Sequence, residues 1–513
     1  MRKLATLATR RGALSAVVAI VAVAFGACST PSASPQSGGE LRVGLIADIV
    51  TLDPAGQFFS PANLTVANGI YDQLLVAREG QNVPSLAESL TASADLQTYT
   101  LVLRPNVKFS DGEPFDAAAV VANFKRFIDP ATKCACAPLV AGIAAVEPAG
   151  PLTVTFRLKA PNVGFSTVLA KEPGYMVSPK ALATPDQIAG KPVGTGPFIL
   201  KEWLKGDHVT LTRNPNYWRS GQPVLDTITY RVLPDAEARF QSLQAGSLDV
   251  VQTDSADHIV QARKNQNLAV NLASFNGSTA MTLNVAKAPF DDVRVRKAIA
   301  HAIDRTVLVN VVDKGISEPS DGPFSKTSPF YADPGYPAFD TNIAKRLVQE
   351  VGKPIAFSYK VTPSGVGPRR ATVIQQMLKD VGITMNIEPK EFTAILAAVT
   401  AKDFQAAELP TPDFTDPDIQ LTRRFQTGSA QNWGGYSSLA VDDALRRGRT
   451  LADKEARAKA YADLARALAT DLPYIWLTRN YYGVISKATV TGWQPLDAAN
   501  LGVFRPEQLR IAR

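Results

Sequence analysis

The sequence predicts a mixed α/β protein of at least two lobes. Three observations carry that prediction. The 513 residues amount to roughly three domains at about 150 residues each. Period-two strand patterns alternate with amphipathic helical ones, and the alternation starts afresh near Ala280. Apolar residues make up 45% and charged residues 20%, inside the globular range, and a chain this long buries enough surface to fold without a metal or disulfide staple. These figures exclude a disordered chain, a disulfide miniprotein, a collagen-like repeat and a polytopic membrane protein. Three Cys and three His also exclude a multi-site structural zinc protein, and no solenoid repeat is present.

The elements follow in order. Residues 40–46 alternate and read as a strand, broken by Asp53-Pro54. Residues 66–76 read as a helix with Ile70, Leu74 and Leu75 on one face. Residues 99–103 and 152–158 are strands, and the helix between them, 116–127, starts on Asp116 as its cap. Strands are expected at 208–212 and 227–232, then a helix over 235–245 stopped by Gly246. The second half opens with a strand at 281–285. One long helix over 292–312 follows, with Val295, Ala298, Ile299, Ala302 and Ile303 inward, ending at Gly315. Helices are expected at 341–351, 371–381 and 441–469, and strands at 382–387 and 474–477.

The first 27 residues form an export signal: Arg2, Lys3, Arg10 and Arg11, then an apolar run from Ala13 to Phe25, then small residues. The run is shorter than the ~20 residues a spanning helix needs. Thr9-Arg10-Arg11-Gly12 also looks like a weak twin-arginine signal. Phe25-Gly26-Ala27-Cys28 resembles the bacterial lipobox, with Phe25 where Leu is usual, which points to Cys28 as the lipidated first residue of the mature chain; an ordinary signal cut near Cys28 or an uncleaved anchor are the alternatives. Two or more acyl chains anchor stably where one does not. Residues 29–39, rich in Ser, Pro and Gly, read as a flexible leash.

Those four basic residues account for four of the +7 net charges, leaving +3 on the mature chain, too mild to suggest a nucleic-acid partner. Basic residues occur in short pairs, such as Arg369-Arg370 and Arg423-Arg424.

Catalytic signatures are nearly absent. There is no Gly-x-Ser-x-Gly elbow and no His-Glu-x-x-His helix. Val193-Gly-Thr-Gly-Pro197 lacks the Lys-Ser/Thr of a phosphate loop, and Pro197 removes an amide, so it reads as a tight turn into a strand at 198–200. His208, His258 and His301 are scattered and read as structural. Cys134 and Cys136 are compatible with a strained local disulfide, and less well with a metal pair, since no further ligand lies nearby. Asp413, Asp416 and Asp418 form the densest acidic cluster. They read either as a surface Pro-Asp turn or as an acid placed in a cleft to meet a cation; calcium spacing is absent.

Several segments, in order, resemble the extracytoplasmic solute-binding proteins of family 5, the dipeptide/oligopeptide-binding lipoproteins of ABC transporters. They include Val83-Pro-Ser-Leu-Ala-Glu-Ser89, Tyr99-Thr-Leu-Val-Leu-Arg104, Asp111-Gly-Glu-Pro-Phe115, Val193-Gly-Thr-Gly-Pro-Phe198 and Arg213-Asn-Pro-Asn-Tyr-Trp218. Residues 239–249, 292–305 and Asn432-Trp-Gly-Gly-Tyr436 continue the series. The resemblance covers nearly all of the chain beyond Gly38.

It implies a two-lobed fold of the periplasmic-binding-protein type II kind, with an extra subdomain inserted in lobe I. Mapped onto this chain, residues 39–278 plus 485–513 form lobe I, with the subdomain at about 61–189, and residues 279–484 form lobe II. The hinge would lie at the crossings near 279–283 and 477–482. It implies a receptor, not an enzyme, with no cofactor and no metal, monomeric and outside the cytoplasm, moored to the membrane through Cys28. It would pass small solutes, di- or oligopeptides first, to a permease driven by a separate ATPase. Asp413 matches the acid that meets a peptide's free amino group, although Leu409-Pro410 stands where the family usually has Gly-Trp. Phe58, Phe59 and Trp433 are the expected cleft aromatics. Other cargo on the same scaffold (a nickel chelate, an opine, a sugar) and a secreted hydrolase are the alternatives. The scarcity of His speaks against the hydrolase.

Overall fold

Alternation along the strands builds the architecture. In the computed structural model, which describes residues 38–56, 60–78, 80–363, 365–411, 416–496 and 503–512 (with the side chains of 274–276 left out), ten strands join in one sheet. Its order is Ile383–Pro389, Ile355–Val361, Ala406–Pro410, Leu268–Leu283, Tyr474–Lys487, Val250–Thr253, Glu40–Leu45, Thr227–Val232, His208–Arg213 and Phe198–Leu204. The two central strands, of 16 and 14 residues, run through both halves as one antiparallel pair, from Leu268 opposite Lys487 to Thr282 opposite Tyr474. They change outer partners on the way. Gly483 to Ser486 pair with Val250–Thr253, whereas Thr279 to Leu283 pair with Ala406–Pro410. Register shifts between Ser274 and Ser278, and between Thr279 and Ala280, mark the crossing.

Each half buries its own core. Leu41, Val43, Leu45, Ile228 and Tyr230 pack in the first, and Met281, Leu283, Ile299, Phe357 and Ile374 in the second. A separate four-stranded antiparallel sheet is inserted between Glu40–Leu45 and Phe198–Leu204, in the order Ala87–Ala92, Thr98–Leu103, Thr153–Leu158, Ile143–Gly150. Thr98–Leu103 alternates half-buried and buried along its length, and helix Ala117–Ile128 covers the sheet with Phe124 and Phe127. Asp116 caps that helix, accepting from the Ala119 amide at 2.9 Å.

Four helices differ from the sequence expectation; the one expected at 371–381 is Val366–Lys379, and the other three differ for local reasons. The helix expected at 66–76 is Pro61–Ile70, capped by Ser60 with Pro61 in its first turn, and Leu75–Arg78 is a strand. Every residue from Ala62 to Ile70 is buried, so no single apolar face fixes its limits. The helix expected over 292–312 breaks at Ile303, which is extended, and restarts where the Asp304 side chain caps the amides of Thr306 and Val307. The helix expected over 441–469 is two, Leu439–Thr450 and Lys454–Asp471, the second capped by Asp453. Helix Thr341–Val351 lies where expected, between Asp340 and a left-handed Gly352.

The glycine-rich turn is a junction. A Cβ on Gly194 would stand 2.3 Å from the Ile70 carbonyl oxygen, and one on Gly196 would stand 2.4 Å from the Ile70 carbonyl carbon. Only glycine lets this turn reach the helix end, where the Gly196 amide donates to the Ile70 carbonyl. Cys134 and Cys136 are bonded to each other and buried. Among the described residues no helix is long and apolar enough to cross a membrane.

Candidate functional site

In an open sheet with parallel strands, ligands bind beyond the strands' carboxyl ends. Here those ends come from both halves. Glu40–Leu45 runs parallel to Thr227–Val232 and Val250–Thr253; Ile355–Val361 runs parallel to Ile383–Pro389 and Ala406–Pro410. Thr253 pairs with Gly483 and Pro410 with Thr279, so both sets of carboxyl ends converge on the crossing from opposite sides.

Hydrogen bonds fix the backbone there. The Thr411 hydroxyl donates to the Ser278 carbonyl at 2.9 Å and accepts from the Ser278 amide at 2.7 Å, while the Thr279 hydroxyl donates to the Asn480 side-chain oxygen at 2.7 Å. Thr411 thereby anchors the start of the connection that carries Asp413. Asp413, Phe58 and Phe59 themselves lie outside the described residues, as does Cys28.

Around the crossing sit two ionic groups. Arg369 of helix Val366–Lys379 donates to Asp257 of helix Ala256–Arg263 at 2.8 Å, joining the two halves at an exposed edge. Beneath it, Arg370 is buried against Glu408 at 3.0 Å and Asp313 at 3.6 Å, with the Tyr359 hydroxyl on the second Glu408 oxygen at 3.3 Å. Burial opposes the Arg370 charge, but the two carboxylates hold it and raise its pKa; burial pushes Asp313 up.

The acidic cluster is divided. Asp416 accepts from Arg457 at 2.7 Å, and Asp418 from Arg449 at 3.0 Å. Both pairs face the inserted subdomain. The Val163 amide donates to the Arg449 carbonyl at 3.0 Å, a Cβ on Gly164 would stand 2.6 Å from an Asp416 oxygen, and Ile419 packs against the subdomain's core. Burial, with Asp416 nearby, lifts the Tyr99 phenol to about 12.

Trp433 is 5% exposed and packs with Ile395, Val399, Phe404, Ala407 and Leu409, under the strand that leads to Thr411; the Arg424 guanidinium lies 4.0 Å from its ring centroid. The three histidines are engaged locally, His208 with Asp207, His258 with Glu237 and His301 with the Ala338 carbonyl. Sequence reasoning missed the Arg370–Glu408–Asp313 group because its members lie on three separate elements; the Arg369-Arg370 pair was the available signal. A cavity of 510 Å³ lies beside Trp203, and one of 440 Å³ is lined by Arg305, Glu318, Pro319 and Asp321, next to the crossing strand at Thr478 and Arg479.

Two lobes joined by crossing strands, with carboxyl ends turned toward each other across the join, define the class of type II periplasmic binding proteins. Solved structures agree. An agropinic-acid complex of AgaA from A. tumefaciens R10 matches with a TM-score of 0.81 at 25% identity, over 93% of this chain and 99% of that one. The oligopeptide-binding protein AppA from Bacillus subtilis, in complex with a nonapeptide, matches with a TM-score of 0.81 at 25% identity, over 94% and 100%. Among curated proteins, the glutathione-binding protein GsiB of Salmonella paratyphi A is 31% identical over 474 residues, 88% of this chain and 91% of that protein. The model of the bacterial extracellular solute-binding proteins, family 5, matches residues 81–432. The chain belongs to that family, whose members bind solutes for ABC transporters and are not enzymes.

Proposed function

We propose that this protein captures a small peptide or peptide-like solute between its two lobes, by closing on it, and delivers it to an ABC permease and its ATPase from a lipid-anchored position outside the cell membrane. The observation that carries the proposal is the convergence of both lobes' parallel carboxyl ends on one pair of crossing strands. Only a solute that touches both sides favours closure, because a population shift needs differential affinity. Lobe I would comprise residues 39–278 plus 485–513 and lobe II residues 279–484, with bending at the crossings near 279–283 and 477–482. Asp413, two residues beyond the anchored Thr411, would meet the solute's ammonium group, with Phe58 and Phe59 on the facing lobe. Trp433 would act from behind, by supporting strand Ala406–Pro410. The names of GsiB and AppA support peptide-like cargo. The agropinic-acid complex of AgaA favours an opine as the second reading.

Calorimetry with glutathione and with di- to tetrapeptides, free and N-acetylated, tests the cargo. Free-amine peptides bind and acetylated ones do not; Asp413→Asn removes the difference. Equal binding of both forms refutes the role of Asp413. For the anchor, Cys28→Ser moves the protein from the membrane fraction to the soluble fraction; an unchanged distribution refutes lipidation.

A further inference from the structure

Helix Asp418–Phe425 follows directly on the connection that carries Asp413, and it lies on the seam between lobe II and the subdomain. Its first turn is fixed there by the Asp418–Arg449 pair. Ile419 packs against the subdomain's core, and Arg423, four residues on, shares its face. Arg424 follows, stacked over Trp433.

These two arginines differ from the other buried arginines of the molecule. Arg239 and Arg296 close on backbone carbonyls, and Arg370, Arg457 and Arg479 on carboxylates. Arg423 and Arg424 form no ion pair among the described residues, and the Nε of each is buried without a hydrogen-bond partner. The subdomain carboxyl that acts on Arg423 is Glu172, itself buried and pushed up by that burial. Burial lowers the pKa of both guanidinium groups, and the Arg424 charge further disfavours that of Arg423. Both residues are half-buried rather than sealed. Holding two guanidinium groups without an ion pair at the seam is costly unless an anion enters with the solute.

We infer that Arg423, backed by Arg424, is a subsite for a carboxylate group of the solute, so that the protein selects acidic peptides or amino-acid conjugates. The inference rests on the solute-capture reading above. A guanidinium fork takes a carboxylate in two parallel hydrogen bonds, and bonds of this charged kind contribute about 1.5–3 kcal/mol, or about 10- to 100-fold in affinity.

The test is calorimetry of the full-length protein with glutathione, a dipeptide and a tripeptide, each as the free acid and as the carboxyl-capped ester or amide. The wild type binds at least one free acid about tenfold or more tighter than its capped form. Arg423→Gln loses that factor on the acid, binds the capped form unchanged and no longer tells the two apart; Arg423→Lys recovers part of it. A wild type that binds acid and capped forms alike overturns the subsite and leaves solute capture of peptides standing. So does an Arg423→Gln protein that discriminates as the wild type does. A wild type that binds none of the series overturns both. Should Arg423→Gln fail to fold, the acid-against-cap comparison on the wild type decides.

Discussion

At the residue scale, close approach and buried charge decide most outcomes. Gly196 stands against the Ile70 carbonyl carbon and the Tyr71 nitrogen, which are backbone atoms and cannot rotate away. Gly196→Ala is therefore expected to destabilise the first lobe by about 3 kcal/mol, at the upper end for overpacking, read as a lowered urea midpoint with an unchanged m-value. Asp249 is the second case. Burial would raise its pKa, but the fork of Arg42 (2.9 and 2.8 Å) and the Lys487 ammonium (2.7 Å) outweigh burial and hold it below the ordinary carboxylate value. A depressed folded pKa gives stability that is present above the unfolded value of about 3.9 and is lost as pH falls through the lower folded value. Asp249→Asn is expected to cost about 2 kcal/mol at pH 7, discounted for the part-exposed Arg42, and to shrink the difference from wild type as pH drops toward 2. Urea melts at pH 7, 4 and 2.5 measure both; a constant difference across that range refutes the assignment.

At the scale of elements, legibility in the sequence followed the strength of local signals. Thr98–Leu103 and Thr341–Val351 were readable because one alternates cleanly and the other carries Asp340 and Gly352 at its ends. The break at Ile303 was not, because the apolar spacing continues through it and the Asp304 cap resembles any surface acid. Strands Val250–Thr253 and Ala406–Pro410 are short, and their pairing is set by residues far away in the chain, so no local pattern announces them. The crossing strand Tyr474–Lys487 was visible only over its first four residues. Its middle is held by Arg479, which donates to the Ser278 hydroxyl at 2.9 Å, the Gly322 carbonyl at 3.0 Å, Asp321 at 3.2 Å and the Phe324 carbonyl. Burial lowers this guanidinium to about 10, which still leaves it charged at neutral pH. Arg479→Lys keeps the charge and loses the planar fork. The expected result is faster amide exchange in 274–279 and 317–324, with helix Lys454–Asp471 unaffected; uniform protection across all three refutes a local pin.

At the scale of the whole molecule, two sets of contacts among the described residues join lobe II to the first half. The Asp257–Arg369 bridge is about half exposed on both sides, and a pair of that kind contributes ~1 kcal/mol at most. The seam with the subdomain is tighter. Val163 donates to the Arg449 carbonyl, and Gly164 lies against an Asp416 carboxylate that Arg457 grips with both side chains largely buried. A side chain at residue 164 cannot displace that carboxylate without breaking a buried pair, whose disruption costs about 3–5 kcal/mol; the cheaper response is for the subdomain to withdraw from lobe II. Gly164 lies outside the strands of the described residues. Gly164→Val is therefore expected to shift the solute-free population toward an open form. Small-angle scattering should read a larger radius of gyration. Affinity for the captured solute should fall about tenfold or more, because part of the binding energy goes into re-forming the seam. Arg369→Ala should leave both quantities close to wild type. If Gly164→Val matches wild type in radius and affinity while Arg369→Ala opens the molecule, the exposed bridge and not the seam sets the closed state.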